Sequence, residues 1–318
     1  MFSLLRRNRK QQCRLAVLVF HRVIDGTPLP FGPEKTCSLP SDNFARILEH
    51  LSHTFHVFNA ADLRSALEGH QPRFPEGVLL TFDDGFADNA ELAAPLLIKN
   101  GIEALLFAAT GYIDGTAEPY EYVLARHLAT HGDGPVVVDG IEYARARDAY
   151  DAVRSALKKM PRAERDETWR RLRQEFPAME SPHLLTWSQL RDFQEKGPFA
   201  VESHGVHHAV LAGEERGELA VQLRDSRQRI SEQTGRLPTL ISYPYGAANS
   251  SVHRAARRAG YRAGFTTEPV VNNLATCNPF ALGRFAGESE RLLEARSLDD
   301  IASLLAPSAQ KGVRCQPS

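Results

Sequence analysis

Cysteine is scarce in this chain: Cys13, Cys37, Cys277 and Cys315 are the only four in 318 residues. They are too few and too scattered for a disulfide scaffold, and none stands in a Cys-x-x-Cys pair, so reduced thiols are expected. An excess of either charge is missing too, with 38 basic against 39 acidic residues and a formal net charge of -1. A general nucleic-acid surface draws its affinity from surplus Lys and Arg, so no nucleic-acid partner is expected. The N-terminal apolar run LAVLVF is only six residues long, far short of the roughly 20 that a membrane helix requires. It follows the basic stretch MFSLLRRNRKQQC and precedes no small-residue cleavage site, so neither a signal peptide nor an integral membrane segment is read. The basic tail suits at most a weak contact with an anionic membrane surface, a frayed terminus is the plainer reading, and the cytoplasm is the expected compartment. Internal repeats and low-complexity tracts are absent as well.

What the chain does have is apolar material, 42% of its residues, arranged in short runs separated by helical patterns. LAVLVF (15–20), VLLTF (78–82), ALLFAA (104–109), FAVES (199–203), TLISY (239–243), AGFTT (263–267) and ALGRF (281–285) read as seven strands. Near-continuous apolar strands with helices between them are what a parallel sheet covered on both faces needs. The pattern predicts an α/β fold of seven β/α units, a barrel or barrel-like sheet with its chemistry at the carboxyl ends of the strands. In SDNFARILEHLSH, Ser41 or Asp42 is the expected cap, and Phe44, Ile47, Leu48 and Leu51 form one stripe. In TWSQLRDFQEKG, Thr186 and Gln189 suit a capping box and Gly197 a left-handed stop. Further helices are expected over 86–100, 214–234 and 250–259.

Residues 112–184, between the third and fourth strands, are too many for a bare loop. VVVDGIEYA reads as a hairpin turning at Asp139-Gly140, and two charged amphipathic helices flank Pro161. The chain, 1–318, is therefore read as one domain carrying an α-rich insertion that caps one side of the sheet.

Three strand exits carry unusual side chains. LLTFDDG ends an apolar strand in two adjacent carboxylates, Asp83 and Asp84, followed by Gly85. Like charges so close raise each other's pKa and cost stability unless a metal or a base role uses them; acidic capping of a helix N-terminus is the plain alternative. The stretch SHGVHHAVL puts His204, His207 and His208 within five residues. His204 and His208, spaced i, i+4, can meet on one side of a tight loop, with a carboxylate from another strand completing an Asp-His-His set. His207 is left to point elsewhere. SYPYGAAN supplies a rigid turn at Pro244 and Gly246 whose backbone N–H groups suit a reacting oxygen.

The order TFDDG, then SHGVHH, then YPYG, all at strand ends, resembles the polysaccharide deacetylase family, carbohydrate esterase family four. The resemblance runs from LAVLVFHRV to LGRF, apart from the insertion. It implies a deformed (β/α)7 barrel and removal of N-acetyl groups from an N-acetylated sugar, with a divalent metal held by one Asp and two His. Carried over by position, Asp84, His204 and His208 are the implied metal ligands, Asp83 the general base and the Tyr245 N–H an oxyanion donor. Zinc is the expected metal, and cobalt, nickel or iron suit the same donors. Water activated by the metal would attack the acetyl carbonyl.

The chain departs from the family pattern twice. No histidine follows His253, whereas the family commonly keeps its acid histidine near the C-terminus. Rearranged relatives, the poly-N-acetylglucosamine deacetylases, have a Tyr-His motif after the first strand, which makes His21 in VFHRV the candidate acid. The arginine that usually precedes the Pro-Tyr turn is replaced by Ser242 and Tyr243, so Arg284 or Arg22 is expected to tether the base. Gly205 stands where the family usually has Ser or Thr. Trp187, Tyr120, Tyr122 and Tyr245 are candidate sugar platforms. A small or lipid-linked glycan precursor is the expected substrate. Hydrolysis of another amide or an O-acetyl ester on the same barrel, or carbohydrate binding without catalysis, stays open at this point.

Overall fold

The computed structural model describes residues 13–70, 74–176 and 180–306. The basic N-terminal cluster, Cys315 and the last dozen residues lie outside them; Cys13 and Cys277 are free thiols. Seven strands of a nine-stranded curled sheet build the barrel: β1 (Arg14–Phe20), β2 (Glu76–Asp84), β3 (Ala104–Ala108), β4 (Phe199–Ser203), β5 (Leu240–Ser242), β6 (Ala263–Phe265) and β7 (Phe285–Ala286). Each pairs in parallel with the next from β1 to β6, and β7 returns to pair in parallel with β1. Between β6 and β7 the seam is one parallel bridge, Phe265 to Leu282, where the Leu282 N–H donates to Gly264 O at 2.9 Å and the Thr266 N–H to Leu282 O at 2.8 Å. This is a deformed (β/α)7 barrel. The expected seventh strand, 281–285, is split in the structure: Leu282 serves β6, and pairing to β1 begins only at Phe285.

Strand periodicity sorts the core into two layers, because successive side chains point to opposite faces. Leu15, Val17, Leu79, Leu105, Phe107, Leu240, Phe265 and Leu282 share the interior cluster. Ala16, Leu18, Phe20, Leu80, Phe82, Leu106 and Val201 pack outward against Phe44, Ile47, Leu48 and Leu51 of α1 (Ser41–Thr54). Leu79, Thr81 and Asp83 therefore share the inward phase. β2 runs two residues beyond the expected VLLTF, so both carboxylates belong to the strand itself.

The capping box at Thr186 and Gln189 is present, and Gly235 and Gly260 close their helices in the left-handed conformation. Two local expectations fail. The helix over SDNFARILEHLSH starts at Ser41 with Pro40 in the cap position, a residue that has no side-chain acceptor to offer. Gly197 is extended, at φ -89° and ψ 178°. Glycine is required there for space instead: an added Cβ would sit 2.6 Å from Phe193 Cα.

Between β3 and β4, the insertion builds α2 (Tyr120–Ala129), a hairpin pairing Val136–Val138 with Ile141–Tyr143, α3 (Ala146–Lys159) and α4 (Arg162–Arg173). The hairpin turns at Asp139-Gly140, both at positive φ. Tyr120, Val123, Leu124, Leu128, Tyr150, Leu157, Trp169 and Phe176 make a separate core that also takes in Phe31.

At the seam, Gly264 runs so close to the Tyr243 ring that a Cβ would collide with its hydroxyl. Gly264→Ala is expected to cost about 1–3 kcal/mol of unfolding free energy by overpacking, read by urea denaturation; an unchanged midpoint would contradict this packing.

Candidate active site

The two carboxylates of β2 ought to face opposite sides of the sheet, and they do not. Asp84 has φ 77° and Gly85 φ 93°, so the chain turns back over the barrel mouth at the point where Asp84 would otherwise enter the outer helical layer. The left-handed region costs a non-glycine residue about 1 kcal/mol, and Asp tolerates it better than most. Asp83 and Asp84 are 3% and 5% exposed.

Asp83 is clamped by Arg284. The guanidinium donates from Nη1 to Asp83 Oδ1 at 2.8 Å and from Nη2 to Oδ2 at 2.7 Å. Ser242 Oγ adds a third bond to Oδ2 at 3.0 Å. Burial alone would push the Asp83 carboxyl up, but the Arg284 guanidinium, through its charge and its hydrogen bonds, holds it well below the usual carboxylate range. Of the two arginines proposed as tethers, Arg284 is the one the fold brings to Asp83. Arg22 is engaged elsewhere, donating to Asp88 at 2.7 Å and Glu34 at 3.3 Å and lying over the Phe86 and Tyr122 rings.

Asp84 meets His204 and His208. Its Oδ1 lies 3.4 Å from His204 Nε2 and 3.3 Å from His208 Nε2, yet this buried oxygen makes no hydrogen bond. The three donor atoms all lie within 4.8 Å of one another. His204 Nδ1 sits 2.8 Å from the Ser242 carbonyl oxygen, which can only accept, so Nδ1 carries the proton and Nε2 keeps its lone pair for the cluster. Burial holds His208 well below the ordinary histidine range, so its imidazole is neutral and also able to ligate. Four ligands at about 2.0–2.1 Å around zinc stand about 3.4 Å apart along a tetrahedral edge. The spacings to Asp84 match that edge, and the unsatisfied Oδ1 has no other partner, so the donor set fits a divalent metal.

His21 leaves β1 beside the exit of β7, and that adjacency supplies a partner the sequence reading did not single out, Glu288. Its Oε1 accepts from the His21 backbone N–H at 3.0 Å and lies 2.9 Å from His21 Nδ1. The His21 carbonyl accepts from Asn89 at 2.8 Å. Burial pulls the imidazolium down, but the Glu288 hydrogen bond and charge, with smaller contributions from Asp84 and Asp83, push it up to about 9. The clue in the sequence was a carboxylate just past the last strand, at the same kind of exit as the other site residues.

Tyr245 has φ 60° in the turn Pro244–Gly246, with its ring 4.6 Å from that of His208 and its hydroxyl 3.4 Å from Tyr120 of the insertion. Tyr245 borders the site, whereas Tyr120 is buried in the insertion's core and reaches toward it only through its hydroxyl. Tyr122 is core, packed on Phe86 at 4.8 Å, and Trp187 donates to Asp114 at 2.7 Å under Arg229. His207 points away from the cluster and pairs with Gln222 at 2.7 Å.

Comparison with known proteins agrees with this geometry. The polysaccharide deacetylase family model matches residues 71–264. YxkH of Bacillus subtilis (strain 168), a protein named as a polysaccharide deacetylase, is 21% identical over 261 residues, 82% of this chain and 67% of its own. The fold is shared with the deacetylase PplD of Streptococcus pyogenes, solved with acetate, at TM-score 0.60 and 17% identity over 93% of this chain and 100% of that one. It is shared too with a de-N-acetylase from Aggregatibacter actinomycetemcomitans, at TM-score 0.57 and 17% identity over 85% and 94%. No helix among the described residues is long and apolar enough to cross a membrane. The barrel, the motif order and the matched span together make this chain a member of the polysaccharide deacetylase family.

Proposed function

We propose that the chain is a metal-dependent carbohydrate N-deacetylase, releasing acetate from an N-acetylated amino sugar of a glycan or glycan precursor. One observation carries the reading: an Asp84–His204–His208 donor triangle, with Asp84 Oδ1 making no hydrogen bond, stands directly beside a carboxylate, Asp83, that is ionised and turned to a different partner. A structural metal site would have no use for that second carboxylate.

Asp84, His204 and His208 would hold the ion, with zinc favoured by the tetrahedral spacing and cobalt, nickel and iron accepted by the same donors. When bound, such an ion polarises an acyl oxygen and acidifies water. Asp83 would take the proton of the attacking water, and its Oδ2 lies 3.8 Å from Nε2 of His204, one of the residues that would hold the ion. The clamp makes Asp83 a weak base but a fixed one. The Tyr245 N–H donates to the oxyanion as it forms. His21 gives its proton to the departing amine.

That last step favours an amide over an O-acetyl ester. An amide nitrogen must be protonated before its bond to carbon breaks, and a histidine held charged up to about 9 suits this. A bound cation offsets the Asp84 share of the shift, but Glu288, the largest raising influence, remains. Tyr245 borders the site as the sugar-facing aromatic, and the barrel with its 112–184 insertion acts as one catalytic domain.

The reading is tested by acetate release from N-acetylated amino sugars with metal-reconstituted protein. Asp83→Asn and His21→Ala are each expected to lower kcat about 10²- to 10⁴-fold with metal content unchanged; equal activity in wild type and Asp83→Asn would overturn the mechanism.

The pH dependence follows from the His21 shift. The folded-state value, raised to about 9 from 6.5, keeps the acid protonated through neutral pH, and the proton is lost as pH rises through about 9. Glu288→Gln removes the main raising influence, so the midpoint should fall toward 6.5 and the alkaline limb of kcat should move down with it. NMR titration of the His21 imidazole in metal-free protein reads the shift directly, and a wild-type midpoint at or below 6.5 would contradict it.

A further inference from the structure

The insertion grips the loop that carries His208. Arg165 of α4 is 6% exposed, and its guanidinium donates from Nη1 to the His208 carbonyl at 3.3 Å and from Nη2 to the His207 carbonyl at 3.1 Å. It is aimed by Asp166, which accepts from Nε at 3.1 Å and Nη2 at 2.9 Å, and its charge lies over the Tyr120 ring. A second line reaches the same loop. Arg162 donates to Glu218 at 2.7 Å, Gln222 donates to Glu218 at 2.7 Å, and Gln222 Oε1 accepts from the Val206 and His207 N–H groups at 3.0 and 2.9 Å. Between these holds, His208 sits at φ 49°, a left-handed conformation that a histidine keeps only where its surroundings over-determine it.

We propose that Arg165 is a positioning residue for the metal site: by fixing the His207 and His208 carbonyls it keeps His208 in the left-handed conformation that turns Nε2 toward Asp84, so the insertion sets metal affinity. The inference rests on the reading of His208 as a ligand. Groups that orient a ligand from behind contribute to affinity nearly as the ligands do. A buried guanidinium that forks two carbonyls of the ligand loop is such a group, supplied here from a helix outside the barrel.

The test uses the full chain, with zinc and cobalt affinities measured by chelator competition and the visible spectrum of the cobalt form recorded. Arg165→Ala should weaken zinc binding about 10- to 100-fold and shift the cobalt bands. Arg165→Lys, which can reach one carbonyl but cannot fork both, should fall between it and wild type, and it carries the test if the alanine variant does not fold. Arg173→Ala, which removes a contact to Glu118 within the insertion, should bind zinc as wild type does; an equal loss there would mean general loosening of the insertion and would overturn the proposal. His208→Ala separates the two ideas. If it loses zinc while both Arg165 variants keep wild-type affinity, the metal reading stands and the inference falls. If His208→Ala binds zinc normally, both fall.

Discussion

One guanidinium holds the catalytic mouth together. Arg284 has five N–H donors, and each has an acceptor: Nε to Thr266 O at 3.0 Å, Nη1 to Thr81 Oγ1 at 3.2 Å and Asp83 Oδ1 at 2.8 Å, Nη2 to Asp83 Oδ2 at 2.7 Å and Ser242 Oγ at 2.8 Å. Those acceptors belong to β2, β5 and the end of β6, while Arg284 itself leads into β7. The weak backbone seam of the barrel is therefore tied by a side chain. A charge so buried is tolerable only when paired and fully hydrogen-bonded, and Asp83 supplies the pairing. Fold closure and the ionisation of Asp83 are two consequences of the same contact.

The clamp on Asp83 also determines what Asp84 can do. With one carboxylate committed to Arg284, the other turns through a positive φ toward two imidazoles and keeps an unsatisfied oxygen between them. Adjacent acids in one strand thereby have different partners and different protonation behaviour. Ser242 links the two halves of the site, since its hydroxyl bonds Asp83 and its carbonyl orders His204. Ser242 stands where an arginine was expected, and Arg284, which arrives across the seam, bonds both Asp83 and the Ser242 hydroxyl.

Much of this was legible in the sequence, and the parts that were not share a cause. Apolar periodicity located β1 to β6, and motif spacing brought Asp83, Asp84, His204 and His208 to one end of the barrel, because local pattern and strand parity govern both. Glu288 and Arg165 were missed because their partners lie 267 and 42 or 43 residues away, and only strand adjacency and the folding of the insertion bring them in. Arg22 was a fair alternative to Arg284 on chain position alone; the ion pair with Asp88 and the aromatic faces of Phe86 and Tyr122 exclude it. Gly197 was read as a left-handed stop, but there the missing Cβ matters for clearance against Phe193 and not for φ.

The central claim is that the two carboxylates divide their work, Asp84 binding the cation while Asp83 stays on Arg284. Anomalous diffraction from crystals of the zinc-loaded protein tests it most directly. The expected result is one ion about 2.0–2.2 Å from an Asp84 oxygen and the Nε2 atoms of His204 and His208, with the Asp83 to Arg284 fork intact. An ion ligated by Asp83, or no ion at this triad, would contradict the claim.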